Sequence, residues 1–156
     1  MSVWLKYLCV MGWSALPVLE LRMAVPWGIM NDLPLLPVLV VSIIGNMLPV
    51  PFIMKFVRIV FAWLKKKSTW LSRVIEKIEK RAEGKGDLIK KYEMWGLFVL
   101  VAIPLPGTGA WTGALVATLF DLRMKNAIPI IAAGVTVAGI IMSILMYGVD
   151  KLLMVF

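Results

Sequence analysis

The sequence contains no histidine and a single cysteine, Cys9. The first absence excludes an imidazole base, a histidine metal ligand and any Ser-His-Asp triad. The second excludes an internal disulfide and a cysteine-based zinc site. Acids are scarce too, nine Asp and Glu against seventeen Lys and Arg. No base–nucleophile pair of an enzyme can be assembled from this set, and neither a metal nor a cofactor is expected. Proton handling near neutral pH would fall to a carboxylate or lysine whose titration is moved by its surroundings. Polar residues in general are too few to cover a soluble globule. Of 156 residues 61% are hydrophobic, against about 45–50% in an average soluble domain, and the mean hydropathy is +0.89. The composition describes a small all-α integral membrane protein with one domain over residues 1–156.

The net charge of +8 lies in one place. Residues 55–91 hold twelve Lys/Arg and four Asp/Glu, and the remainder balances at five of each sign. A basic segment can contact nucleic acid. In a chain this apolar it is better read by the positive-inside rule, as a cytoplasmic loop, and no nucleic-acid partner is expected. Within it, residues 68–83 place Leu71, Ile75, Ile78 and Ala82 on one helical face. Such a helix would lie on anionic inner-leaflet lipid through residues 65–91, or simply stand in solvent and set topology.

Four hydrophobic stretches remain, roughly 3–31, 33–54 (running on to Leu64), 94–120 and 127–149. The second and fourth suit single crossings, for which about 20 apolar residues are needed. The other two are longer and broken in the middle by proline and glycine. All nine prolines lie in apolar stretches, so proline punctuates membrane segments here. The first break is Pro17-Val-Leu-Glu20-Leu-Arg22-Met-Ala-Val-Pro26 and the second Ile103-Pro104-Leu-Pro106-Gly107-Thr108-Gly109-Ala-Trp111-Thr112-Gly113. Paired breaks in corresponding positions are the sign of discontinuous helices around a midplane site. The arms would be too short to cross, giving two re-entrant hairpins plus two full spans in an inverted repeat. The first half is 1–54, the second 92–156, with both termini outside a prokaryotic-type cytoplasmic membrane. The sequence echo is faint, Ala15-Leu-Pro17 against Ala102-Ile-Pro104. Four kinked single spans with both termini inside are the competing arrangement. A cleaved leader fits the first stretch only loosely, since Glu20 and Arg22 would then begin a second one.

Charges inside an apolar segment are costly and are functional suspects by default. Between two prolines the backbone is expected to be extended, which would aim Glu20 and Arg22 into one cavity. The alternative is a structural ion pair. The second break carries no ionisable group, and its value would lie in the backbone. Gly107 and Gly109 permit close approach of a ligand, Thr108 would cap a half-helix whose free N–H groups attract an anion, and Trp111 would form an apolar wall. Thr108 and Thr112 are spaced to line one helical face. Asn46 is a polar spot in the second stretch, best read as a buried interhelical hydrogen bond. Gly134, Ala138, Gly139 and Ser143 form a small-residue packing face. The candidate set is therefore Glu20 as proton carrier, with Arg22, Pro17, Pro26, Pro104, Pro106, Gly107, Thr108, Gly109, Trp111, Thr112 and Asn46 around a small amphiphilic substrate.

The two break motifs together resemble the small multidrug export protein family, itself a distant relative of the DedA-type membrane proteins. That resemblance implies opposed re-entrant hairpins meeting near the midplane. It also implies proton-linked transport, as in the return of polyprenyl-phosphate carrier lipid, with Glu20 at the acidic hairpin position. The DedA-type second hairpin carries arginines and residues 103–113 have none, leaving Arg22 as the only arginine in either hairpin. The functions in view are a proton-coupled translocase for an anionic amphiphile, an exporter of lipophilic cations, and a non-transporting membrane scaffold. Two full crossings per chain enclose a poor cavity, which favours a homodimer.

Overall fold

A computed structural model describes residues 2–67, 73, 87–105 and 108–153. Among them the regular structure is all helical: α1 (Val3–Ala15), α2 (Glu20–Met30), α3 (Leu35–Met47), α4 (Val50–Lys67), α5 (Asp87–Ala102), α6 (Ala110–Leu119) and α7 (Met124–Leu153). The expected amphipathic helix at 68–83 falls outside the described residues, Arg73 excepted.

Both expected breaks are present, and proline chemistry explains them. Pro17 forces Leu16 into extended backbone (φ −80°, ψ 142°), which stops α1 at Ala15. Pro104 stops α5 at Ala102 in the same way. The first break is shorter than expected, because α2 starts at Glu20 and runs through Pro26. A proline there removes one helical donor, and packing of α2 on α1 and α3 outweighs that loss. Glu20 and Arg22 therefore sit on the first turn of a helix, not in extended backbone. Glu20 itself has left-handed backbone (φ 49°), where the turn feeds into the helix.

The arms α1, α2 and α6 have 13, 11 and 10 residues, or about 20, 16 and 15 Å of helix, each short of a hydrocarbon core about 30 Å thick. Among the described residues two stretches are long and apolar enough to cross a membrane, Leu35–Trp63 and Met124–Met146. The first joins α3 to α4 across Leu48-Pro49 and runs on past residue 54 as expected, with helix reaching Lys67 in the basic segment.

The second set of helices repeats the contacts of the first. α1, α2 and α3 pack mutually, as do α5, α6 and α7, and the sets meet through α2 and α3 on α7 and α4 on α6. α2 and α6 end in the same motif. Asp32 and Asp121 take left-handed φ (59° and 50°). Leu33 N–H then reaches Gly28 O (3.1 Å) and Leu122 N–H reaches Ala117 O (2.9 Å), the 6→1 bond of a Schellman cap. Gly45 lies against the Met11 carbonyl of α1, and Gly134 against Val101 and the Phe98 carbonyl of α5. The small-residue face of α7 packs as expected: Gly134 meets α5, and Gly139 meets Leu39 and Leu21.

Large apolar side chains cover the outside, from Trp4 and Val18 to Phe52, Ile59 and Ile144. The buried core is built of small and branched residues, including Val10, Val25, Val38, Val101, Ala110, Ala114 and Ile131. An apolar exterior over a small-residue interior is the arrangement of helices packed in lipid.

Candidate functional site

The two breaks meet, and the groups around them partner one another. Glu20 is buried, and it is the only acid among the described residues that is. Its carboxylate lies at the start of α6, where it accepts from the backbone N–H of Trp111. A Cβ built on Gly109 would overlap that carboxylate, lying 2.6 Å from Cδ and from Oε1 and nearer still to Oε2. Only glycine lets Glu20 reach the helix end. A negative charge at a helix N-terminus also meets the positive end of the helix dipole.

Arg22 faces the opposite end of the same broken segment. Its guanidinium donates to the carbonyls of Leu105 and Ile103 (3.2 Å for the latter) and to Thr108 Oγ1 (2.8 Å). These carbonyls follow the end of α5, and Pro104 has no N–H to offer a neighbour. A cation there complements the carbonyl end of a helix. Arg22 and Glu20 are 3.6 Å apart, an ion pair longer than the Arg22 hydrogen bonds. Thr108 Oγ1 shares its own proton between Ile103 O (2.8 Å) and Leu105 O (2.9 Å).

Trp111 completes the junction in the reverse direction. Its indole N–H donates to Ala15 O, the last carbonyl of α1, at 3.1 Å. Each pair of helices thus supplies a side chain that caps the other pair's first helix: Arg22 caps α5, and Trp111 caps α1.

Several expectations are corrected. Thr108 does not cap α6. The cap position is Gly109, without a side-chain bond, and the Thr108 hydroxyl is used on the α5 carbonyls and Arg22. Thr108 precedes the helix, so it shares no helical face with Thr112, which is half-buried in α6 and has an interaction of its own. Of the N–H groups at the α6 start, that of Trp111 is bonded to Glu20, and the Arg22 guanidinium is bonded to the Ile103 and Leu105 carbonyls and Thr108. Pro17 is exposed in the first break, Pro26 is half-buried inside α2, and Pro104 is half-buried in the second break. Pro106 and Gly107 lie outside the described residues.

Asn46 is buried in α3, yet its Oδ1 has no hydrogen-bond partner, so the expected interhelical bond through that atom is not formed. Among the described residues no bond joins it to the Glu20–Arg22 cluster. Sequence reasoning missed two contacts. Ser14 Oγ donates to Ser42 O (2.5 Å), locking α1 to α3. Arg58 binds Leu122 O (2.7 Å) and pairs with Asp121 (3.5 Å), tying α4 to the turn after α6. Their signal was the polar residue type in an apolar setting.

Fold and site together define a small polytopic helical membrane protein with a charged pair where two helix breaks meet. A family model for small multi-drug export proteins matches residues 20–141, 122 of the 156 residues, and the chain belongs to that family. The match begins at Glu20, the first residue of α2, and takes in the whole of the second break. No curated protein and no solved structure matches the chain.

Proposed function

We propose that the protein is a proton-coupled exporter of small amphiphilic cations, with Glu20 holding in turn a proton and the substrate's positive charge. The observation that carries this reading is the single buried carboxylate at the junction of the two breaks. Membership of an export family agrees with it. Arg22 is committed to carbonyls and Thr108 and touches Glu20 only at 3.6 Å, so a substrate cation has a carboxylate to compete for. Protonation of Glu20 would release the cation, giving exchange of one charge for another. It would also weaken the bond from the Trp111 N–H, since a charge-assisted bond is roughly twice as strong as a neutral one. The junction then loosens when the proton arrives.

In the same reading the short helix pairs are re-entrant hairpins entering from opposite faces, with residues 55–91 cytoplasmic and both termini outside. The repeated caps at Asp32 and Asp121, and the repeated close approaches at Gly45 and Gly134, support an inverted repeat.

One observation favours a second reading. The α6 N-terminus already holds a carboxylate, so it could hold an anionic headgroup, such as that of a polyprenyl phosphate, once Glu20 is protonated and withdrawn. Proteoliposomes with an imposed pH gradient test the main reading. Glu20→Gln should abolish gradient-driven movement of a lipophilic cation, and full retention would overturn it. The substrate's sign follows from carbodiimide labelling of Glu20, which a cation should protect against and a phosphate lipid should not.

A further inference from the structure

α4 presents an apolar groove of about 530 Å³ to the outside, formed by Pro49, Phe52, Ile53, Phe56 and Ile59 with Trp111 of α6. Phe52, Phe56 and Ile59 are each about two-thirds exposed. From Pro49 to Ile59 the groove follows one helical face for about 15 Å. One charged residue, Lys55, stands on its wall. Arg58, which ties α4 to Asp121 and Leu122, marks the level at which the chain turns after α6. Lys55 lies one turn before it, at the basic edge of the apolar stretch Leu35–Trp63. Among the described residues it has neither hydrogen bond nor ion pair. An unpaired cation beside an apolar groove at the membrane surface attracts an anionic headgroup.

A second groove gives the contrast. It measures about 380 Å³, lies between α5 and α7, and is lined by Trp95, Phe98 and Pro129 among others, with no charged residue. Two apolar grooves on one protein therefore differ in one cation. We infer that the α4 groove is a binding site for an anionic membrane lipid, one chain lying along Phe52, Phe56 and Ile59 against Trp111 and the phosphate paired with Lys55. A zwitterionic lipid brings its own cation and gains less from the lysine. The site is independent of whether the central junction transports.

The test uses full-length protein with a single tryptophan, either Trp111 or Trp95, the other six being replaced by Phe. It is reconstituted in phosphatidylcholine vesicles containing a minor fraction of brominated-chain lipid. Brominated phosphatidylglycerol should quench Trp111 as though enriched about fivefold over its bulk fraction, the gain from one near-surface cation. Trp95 should follow the bulk fraction. Lys55→Gln should abolish the enrichment and Lys55→Arg should keep it. Equal quenching of Trp111 by brominated phosphatidylglycerol and phosphatidylcholine would overturn the inference. So would enrichment that survives Lys55→Gln, or displacement by free glycerol phosphate. Shielding of Trp111 from both lipids would mean that protein, such as a second copy, covers the groove, and would also overturn it. If the Trp-depleted variants do not fold, native mass spectrometry decides with otherwise unaltered protein: it should retain one more phosphatidylglycerol per chain than Lys55→Gln, and equal retention refutes the site.

Discussion

Gly109→Ala should evict Glu20 from the end of α6, and the size of the effect follows from the contact. The added Cβ would stand 2.6 Å from Cδ and Oε1 of Glu20 and nearer to Oε2. Gly109 has extended backbone (φ 160°, ψ −161°) that alanine also adopts, so no backbone strain enters. The obstacle is the end of a side chain, and Glu20 can move where a backbone could not. Moving costs its charge-assisted bond from the Trp111 N–H, about 1.5–3 kcal/mol. The favourable position at the helix end, about 0.3–1 kcal/mol, goes with it. The sum is a loss of about 2–4 kcal/mol. In a Glu20→Ala background there is nothing to evict, and Gly109→Ala should cost under ~1 kcal/mol, offset in part by the stiffer unfolded chain. Denaturant unfolding of the four proteins in detergent micelles gives the coupling, expected at about 2–3 kcal/mol. Additivity within about 0.5 kcal/mol would refute the placement of Glu20 against Gly109.

Three further outcomes follow from the same contacts. Arg22→Lys keeps the charge but not the planar fork, so it cannot reach Ile103 O, Leu105 O and Thr108 together. It should lose about 1–3 kcal/mol in the same unfolding assay. Trp111→Phe keeps an aromatic ring and leaves Ala15 O without its donor, which should cost about 1–2 kcal/mol and raise hydrogen exchange in the last turn of α1. Gly45→Ala meets the Met11 backbone carbonyl, which cannot swing aside, so α1 and α3 must separate at a cost of about 1–3 kcal/mol. Gly12→Ala, where a Cβ meets open space, should stay within about 0.5 kcal/mol.

Composition and proline placement made the membrane class and both breaks legible, because each rests on local chemistry. Pro17 and Pro104 each follow closely on the end of a helix, while Pro26 and Pro129 lie within helices. The juxtaposition of Glu20 and Arg22 with residues 103–111 was legible as a meeting of two breaks, but their partners were not. Thr108 looked like a cap because Ser and Thr usually cap, and only the arrival of a carboxylate from 88 positions away displaced it. Pro26 looked like a boundary because the packing of α2 that overrides it is tertiary. The proposed internal repeat is faint in the sequence for a related reason. Its clearest marks, Asp32-Leu33 with Asp121-Leu122 and Gly45 with Gly134, serve backbone geometry and are too few to register as identity. Set 89 positions apart, they also place Arg22 opposite Trp111, two residues unlike in chemistry that perform the same task.

That task explains why charges stand where a bilayer disfavours them. A broken helix leaves carbonyls at the end of one arm and N–H groups at the start of the next, and hydrocarbon offers them no partner. Here the α1 carbonyl is met by Trp111, the α5 carbonyls by Arg22, and the α6 N–H by Glu20. The start of α2 closes within its own pair, through Glu20 N–H to Leu16 O (3.0 Å), and Thr108 adds local bonds to Ile103 O and Leu105 O in the second break. Neither pair of helices can satisfy its break alone, so the junction holds the two halves together. Because every cap across the junction is a side chain, one can be exchanged for a proton or a ligand atom while the helices themselves stay intact. A junction made of backbone pairing would have to unfold to do the same. The Glu20 carboxylate, at the end of a flexible side chain and held by a single N–H and a long ion pair, is the cap that can leave first.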